Sequence, residues 1–186
     1  MAKLHHITNL SLDGYIEDEQ GSFEWSETDD AVFSFLTDLI GPLRTHLYGR
    51  RLYESMAVWE TDPALAEQSD HTARFAPLWQ AADKVVYSTT LDGVLTARTR
   101  VERRFEPDAV RELKAGATSD LLIGGADLAG QALHAGLVDE CHLLIRPIVL
   151  GGGKPALPSG PRLDLELLDA RPLSGGVAYL RYRVPT

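Results

Sequence analysis

The run Leu121-Leu122-Ile123-Gly124-Gly125-Ala126-Asp127-Leu128 constrains the fold more than any other stretch of this chain. Three apolar residues in a row, with no polar alternation, describe a short strand buried on both faces, as in a parallel sheet covered by helices. Two glycines follow at once, and Ala126 to Ala135 then reads as a helix closed by Gly136. Glycine at such a turn lets backbone approach a ligand closely. The helix start offers free amides and a partial positive charge, which suit a pyrophosphate. The three spaced glycines of the dinucleotide fingerprint are absent, so a tight turn without a ligand stays open for this segment alone.

The other segments agree with an α/β sheet. Leu4 to Leu12 reads as a strand ending in the Asp13-Gly14 turn, with apolar character resuming at Tyr15-Ile16 and an acidic loop over Glu17 to Glu27. Val32, Phe35, Leu36, Leu39 and Ile40 form one helical stripe, with Thr28 or Asp29 as the cap and Gly41-Pro42 as the stop. Thr45 to Tyr48 reads as a strand, with Gly49 turning into a helix over Arg50 to Met56. Residues 60 to 83 read as a loop with one or two short surface helices. Strands follow at Lys84 to Ser88 and Thr99 to Arg103, and Pro107 opens a helix through Lys114. Val138 to Leu150 is the longest strand expected, followed by a sharp loop over Gly151 to Pro155. Strands near Leu163 to Ala170 and Val177 to Val184 close the chain. Strands alternating with helices, then strands alone, predict one domain over residues 1–186. Its sheet is mixed, mostly parallel, and finishes in an antiparallel hairpin.

Anion-binding residues recur where strands end. Leu47-Tyr48-Gly49-Arg50-Arg51 puts two arginines at a helix start, and Tyr87-Ser88-Thr89-Thr90 puts hydroxyls just after a strand. Either could also be an ordinary solvated or turn-capping group. Recurrence at the carboxyl ends of three strands favours a ligand edge, because open α/β sheets collect ligands there.

Charge and composition exclude several classes. A formal charge of −9 over 186 residues opposes nucleic acid and anionic membranes, and 8% aromatics offers no stacking platform. No stretch suggests a signal peptide or a membrane span, so a cytoplasmic protein is expected. The single cysteine, Cys141, precludes an internal disulfide and reads as a packed core thiol. His5, His6, His46, His71, His134 and His142 show no zinc-type spacing. His5 and His6 should point to opposite faces of a strand, so no metal site is expected. No Gly-x-Ser-x-Gly nucleophile elbow occurs. The polar groups left for chemistry are Asp13, Trp25, Asp29 and Asp30 around the acidic loop, where a carboxylate at a helix start is either a cap or a group that orients a heterocycle.

Taken in order, Ser11-Leu12-Asp13-Gly14-Tyr15-Ile16, Gly49-Arg50-Arg51-Leu52-Tyr53-Glu54-Ser55, Ile123-Gly124-Gly125, Val138-Asp139-Glu140-Cys141-His142-Leu143 and Arg146 to Pro155 match a known pattern. The chain resembles the dihydrofolate reductase-like superfamily, and within it the RibD C-terminal domain family of riboflavin biosynthesis. The resemblance implies a three-layer dihydrofolate reductase-like fold with NADPH lying across the carboxyl edge of the sheet. It implies Gly49, Arg50 and Arg51 as the phosphate-binding turn, and Ser88 and Thr89 as partners of the adenosine-side phosphate. It implies Gly124 and Gly125 as the pyrophosphate turn, with Thr8 and Asn9 near the nicotinamide. Asp13 and Ile16 would border the reacting ring, while Trp25 and Asp30 would face the substrate. Asp30 would orient a substrate nitrogen or relay a proton, and Arg146 is the candidate cation for a substrate phosphate. A homodimer is also implied.

The activity expected is NADPH-dependent reduction of a small pyrimidine- or pterin-like heterocycle, as in 5-amino-6-(5-phosphoribosylamino)uracil reduction. The alternatives are dihydrofolate reduction and NADPH binding without turnover. Leu144 stands where folate reductases carry a threonine, which argues against dihydrofolate.

Overall fold

A computed structural model describes residues 1–159 and 162–185; Gly160, Pro161 and Thr186 of the one-domain reading lie outside the described residues. The elements run β1 (Leu4–Ser11), β2 (Tyr15–Glu17), α1 (Asp30–Ile40), β3 (Thr45–Gly49), α2 (Arg50–Met56), α3 (Val58–Thr61), α4 (Pro63–Ala66) and α5 (Asp70–Ala81). Then come β4 (Asp83–Tyr87), β5 (Thr99–Glu102), α6 (Pro107–Gly116), β6 (Leu121–Gly124), α7 (Ala126–His134), β7 (Glu140–Arg146), β8 (Lys154–Pro155), β9 (Glu166–Pro172) and β10 (Ala178–Arg183).

Eight strands form one sheet in the order β5-β4-β3-β6-β1-β7-β10-β9, and β2 pairs with β8 apart from it. The strands from β5 to β7 are mutually parallel, while β10 runs antiparallel to both β7 and β9. The mostly parallel sheet with a terminal antiparallel pair is therefore as the sequence predicts.

Alternation along the strands builds three layers. Leu4 and Leu10 of β1, Leu47, Val85, Leu121 and Ile123 pack on one face against Val110 of α6 and Leu128, Ala129 and Ala132 of α7. Tyr48, Val86 and Leu122 take the other face with Phe75 and Trp79 of α5. On the same face, Leu144 and Tyr179 pack against Val32 of α1. Central strands buried on both faces explain the continuous apolar runs in the sequence. Cys141 belongs to the α7-side core, and burial pushes its thiol up to about 11. No described helix is long and apolar enough to cross a membrane.

Three elements differ from their sequence reading. The expected strand over Val138 to Leu150 is only Glu140–Arg146. Pro147 has no amide to continue the ladder, and the Ile148 amide turns back onto the Arg146 carbonyl at 2.8 Å. The strand placed near Leu163 begins later, at Glu166, and runs to Pro172. The loop and short helices expected over residues 60–83 include one helix of 12 residues, α5. It starts in a capping box, where Ser69 Oγ accepts from the Thr72 amide and Thr72 Oγ1 accepts from the Ser69 amide. Pro77 inside it sits on the exposed side, away from buried Phe75, Ala76 and Trp79.

Candidate active site

The parallel strands bring their carboxyl ends to one edge: Ser11 of β1, Gly49 of β3, Tyr87 of β4, Gly124 of β6 and Arg146 of β7. Between β3 and β6 that edge narrows to the two glycine turns at Gly49 and Gly124-Gly125. A Cβ on Gly124 would lie 2.4 Å from Leu52 Cδ2 and 3.3 Å from the Tyr48 ring. Gly125 holds φ +90°, and a Cβ there would come 3.9 Å from the Gly49 amide nitrogen. Gly124 is therefore required by the packing of Leu52 and Tyr48, while Gly125 and Gly49 lie close to each other and neither carries a side chain. The first amides of α7 open onto the same place with no side-chain cap, which leaves orphan donors for an anion.

Cations and hydroxyls flank this slot. Arg50 Nη1 donates to Thr90 Oγ1 at 2.9 Å, and its Nε donates to Glu54 at 2.8 Å. Ser88 Oγ accepts from the amides of Thr90 and Leu91 at 3.2 and 3.0 Å, so it shapes the turn, while Thr89 is exposed. Arg103 Nη1 donates to the carbonyls of Ser88 and Leu91. Two exposed arginines thus brace one hydroxyl-bearing loop. Arg51 is turned elsewhere: its Nη1 reaches Glu17 at 3.2 Å, beside β2. Lys154 Nζ lies 2.6 Å from Asp127 in the first turn of α7. Arg103 had no sequence signal, because it reaches the edge through a pairing between distant segments, and Lys154 was marked only as part of the Gly151 to Pro155 loop.

The other end of the edge centres on Arg146. Its guanidinium is buried, with Nε donating to Asn9 Oδ1 at 3.2 Å and Nη2 to the Ser26 carbonyl at 2.7 Å. Nη1 has no hydrogen bond among the described residues, so one edge of the cation is uncommitted. Asp29 caps α1 by accepting from the Val32 amide at 2.9 Å. Hydrogen bonds from Ser174 and Val32 hold its carboxyl below the ordinary 3.8, with Arg146 adding attraction. It is a fixed anion at neutral pH.

The remaining predicted residues sort by geometry. Asp30, expected to face the substrate, has a carboxylate that is 79% exposed and 3.8 Å from His71 Nε2, turned toward the start of α5. Asp29, one residue earlier, is the acid whose charge acts on Arg146. Asp13 accepts from the amides of Leu150 and Gly151 at 3.1 and 2.7 Å, one oxygen each. Those bonds and one with Ser11, the strongest influence, bring its carboxyl down to about 2. It ties the β1–β2 turn to the glycine loop.

Trp25 is half-buried, with Nε1 donating to the Ser22 carbonyl at 3.1 Å. Ile16 packs on the α7-side core. Thr8 pairs with Leu143 and Asn9 with Leu144, which puts the two on opposite faces. The Thr8 hydroxyl is spent on the Asn9 carbonyl at 3.1 Å. The edge therefore assembles Gly49, Arg50, Ser88, Gly124 and Gly125 at one end, and Asn9 at the other.

The chain has relatives. The model of the RibD C-terminal domain matches residues 3–179. The chain is 31% identical to the uncharacterized protein YyaP of Bacillus subtilis, over 93% of this chain and 90% of that one. It is 30% identical to the riboflavin biosynthesis protein RibD of Mycobacterium tuberculosis over 80% of this chain, which spans 44% of that longer protein. Among solved structures, a pyrimidine reductase-like protein of Corynebacterium diphtheriae aligns over 100% of this chain and 92% of its own, with TM-score 0.68 and 15% identity.

Proposed function

The chain belongs to the RibD C-terminal domain family, and from that premise we propose that it is an NADPH-dependent reductase of a phosphorylated ribosylamino-pyrimidine. The observation that carries this reading is the nearness of the Gly49 and Gly125 turns, neither bearing a side chain, with Arg50 on one flank and Arg146 further along the same edge. A pyrophosphate fits the glycine slot and the uncapped α7 amides. A ribose-bound phosphate fits Arg50, Thr90 and the loop that Arg103 braces. These residues suit NADPH, and bound there its reduced nicotinamide would supply the hydride.

The chain's own residues bind and orient. Arg146, desolvated and fixed by Asn9 and Ser26, offers its free Nη1 to an anionic group of the substrate. Asp29 is ionised and serves as an acceptor for a ring or amino N–H, so it is not the proton donor. Positioning of this kind supplies much of the barrier reduction when the transferred group comes from a cofactor. Dihydrofolate reduction gains no support. Leu144 is fully buried among Val32, Val177 and Tyr179, and offers no hydroxyl to a pterin site.

Turnover tests the reading. Protein mixed with NADPH and 5-amino-6-(5-phosphoribosylamino)uracil should oxidise the nicotinamide, and dihydrofolate in its place should not. Tight NADPH binding with no oxidation by any pyrimidine or pterin would instead mark a binding protein without turnover.

A further inference from the structure

The amino edge of the sheet, opposite the glycine slot, holds a polar cluster that the proposed reduction does not use. The histidine spacing gives no metal motif, but strand pairing does what spacing cannot. β1 and β7 lie side by side in register, His5 opposite Glu140, with His142 next along the same face. All three residues are buried. His5 Nδ1 lies 2.9 Å from His142 Nε2, and Glu140 Oε2 lies 3.7 and 3.6 Å from those same two atoms. A point equidistant from three atoms so spaced is about 2.0 Å from each, the length of a zinc–nitrogen or zinc–oxygen bond.

The atoms behind this triangle are also held. His5 Nε2 is 3.1 Å from Asp120 Oδ2, and His142 Nδ1 is 2.7 Å from the Tyr179 hydroxyl. Lys3 Nζ donates to Glu140 Oε1 and Arg181 Nε to Oε2, both at 2.7 Å. Outer hydrogen bonds of this kind fix ring orientation and tautomer at metal sites, and a carboxylate behind a ligating histidine is a recurring form.

We propose that His5, Glu140 and His142 bind one divalent ion of the zinc class, with water completing a tetrahedral set. Two imidazoles and one carboxylate favour zinc or cobalt over magnesium or calcium, which take oxygen donors. The rim is open to an entering ion, since the side chains of Lys3, Asp120 and Arg181 are 51%, 40% and 39% exposed. Arg181 yields its place on Oε2 as the ion arrives. The site is a clamp between β1 and β7 and takes no part in reduction: four residues of extended strand, roughly 13 Å, separate His5 from Asn9.

Without an ion the same atoms close a hydrogen-bond chain. Tyr179 donates to His142, His142 to His5, and His5 to Asp120. Cobalt(II) separates the two arrangements. Untagged full-length protein, stripped with chelator and titrated with cobalt(II) alone, should develop the visible absorption of a four-coordinate ion, saturating at one per chain and displaced by zinc(II). His5→Asn and His142→Gln, checked for folding by circular dichroism, should lose that signal. If either fails to fold, H71A/H134A decides, because it removes surface histidines and keeps the cluster. Retention of the spectrum then supports the site, and its loss overturns it. Wild-type protein with no saturable spectrum, or a spectrum that survives in folded His142→Gln, also overturns it and leaves the hydrogen-bonded chain.

Discussion

Arg50 and Arg51 are adjacent in sequence yet serve different neighbours. Helix geometry turns successive side chains by 100°, so Arg50 meets Thr90 across the sheet edge while Arg51 meets Glu17. Arg50→Ala should therefore cut the preference for NADPH over NADH about tenfold, roughly 1.4 kcal/mol, in parallel binding titrations. Arg51→Ala should change it little. Asp29 and Asp30 divide in the same way. Asp29→Ala loses the cap of α1, about 1 kcal/mol, and should also lower kcat/KM. Asp30→Ala should leave thermal stability within about 0.5 kcal/mol and activity near wild type. The sequence marks both pairs without separating their members, because a cap or a helix phase is uncertain by one residue. Thr8 and Asn9 show a related limit. Strand parity shows that they face apart, but only the pairing of β1 with β7 shows which of them meets Arg146.

The small β2–β8 pair carries the glycine loop to the rest of the fold. Gly153 holds φ +132°, and a Cβ there would sit 1.9 Å from the Glu17 carbonyl oxygen. Backbone cannot yield as a side chain can, so Gly153→Ala should separate β8 from β2. The cost is expected at about 3 kcal/mol, read by denaturant unfolding, and NADPH affinity should fall as Lys154 is displaced. The glycine-rich loop was legible as a turn, and its partner strand was not, since three residues of β2 carry little periodicity. α5 was hidden for another reason: its polar middle and Pro77 read as loop, and only burial of Phe75 and Trp79 under β3 and β4 makes the helix. The buried strands were legible because apolar runs survive without their partners, whereas the end of β7 depended on Pro147.

At the scale of the whole molecule, buried histidines set the response to acid. Burial lowers His46 to about 4 and His142 to about 3, from an ordinary 6.5. Below pH 6.5 the unfolded chain therefore takes up protons that the fold refuses, and stability falls as pH falls. Glu140 acts in the same sense at lower pH. Burial alone would raise its carboxyl, but hydrogen bonds from Arg181 and Lys3 outweigh this and bring it to about 2, so its contribution disappears between about 4.5 and 2. Melting temperature of the chelator-stripped protein should decline steadily from pH 6.5 to 3, and His46→Gln should flatten the upper part of that decline.

The two edges of the sheet thus have separate work, with charge buried at the amino end and backbone laid open at the carboxyl end. Whether that open edge is an NADPH site is tested most directly by titrating the purified protein with NADPH and with NADH, following tryptophan quenching. Micromolar binding of NADPH, with NADH at least tenfold weaker (about 1.4 kcal/mol), is the result predicted. Binding of neither, or of both equally, would contradict the assignment of the glycine slot and Arg50.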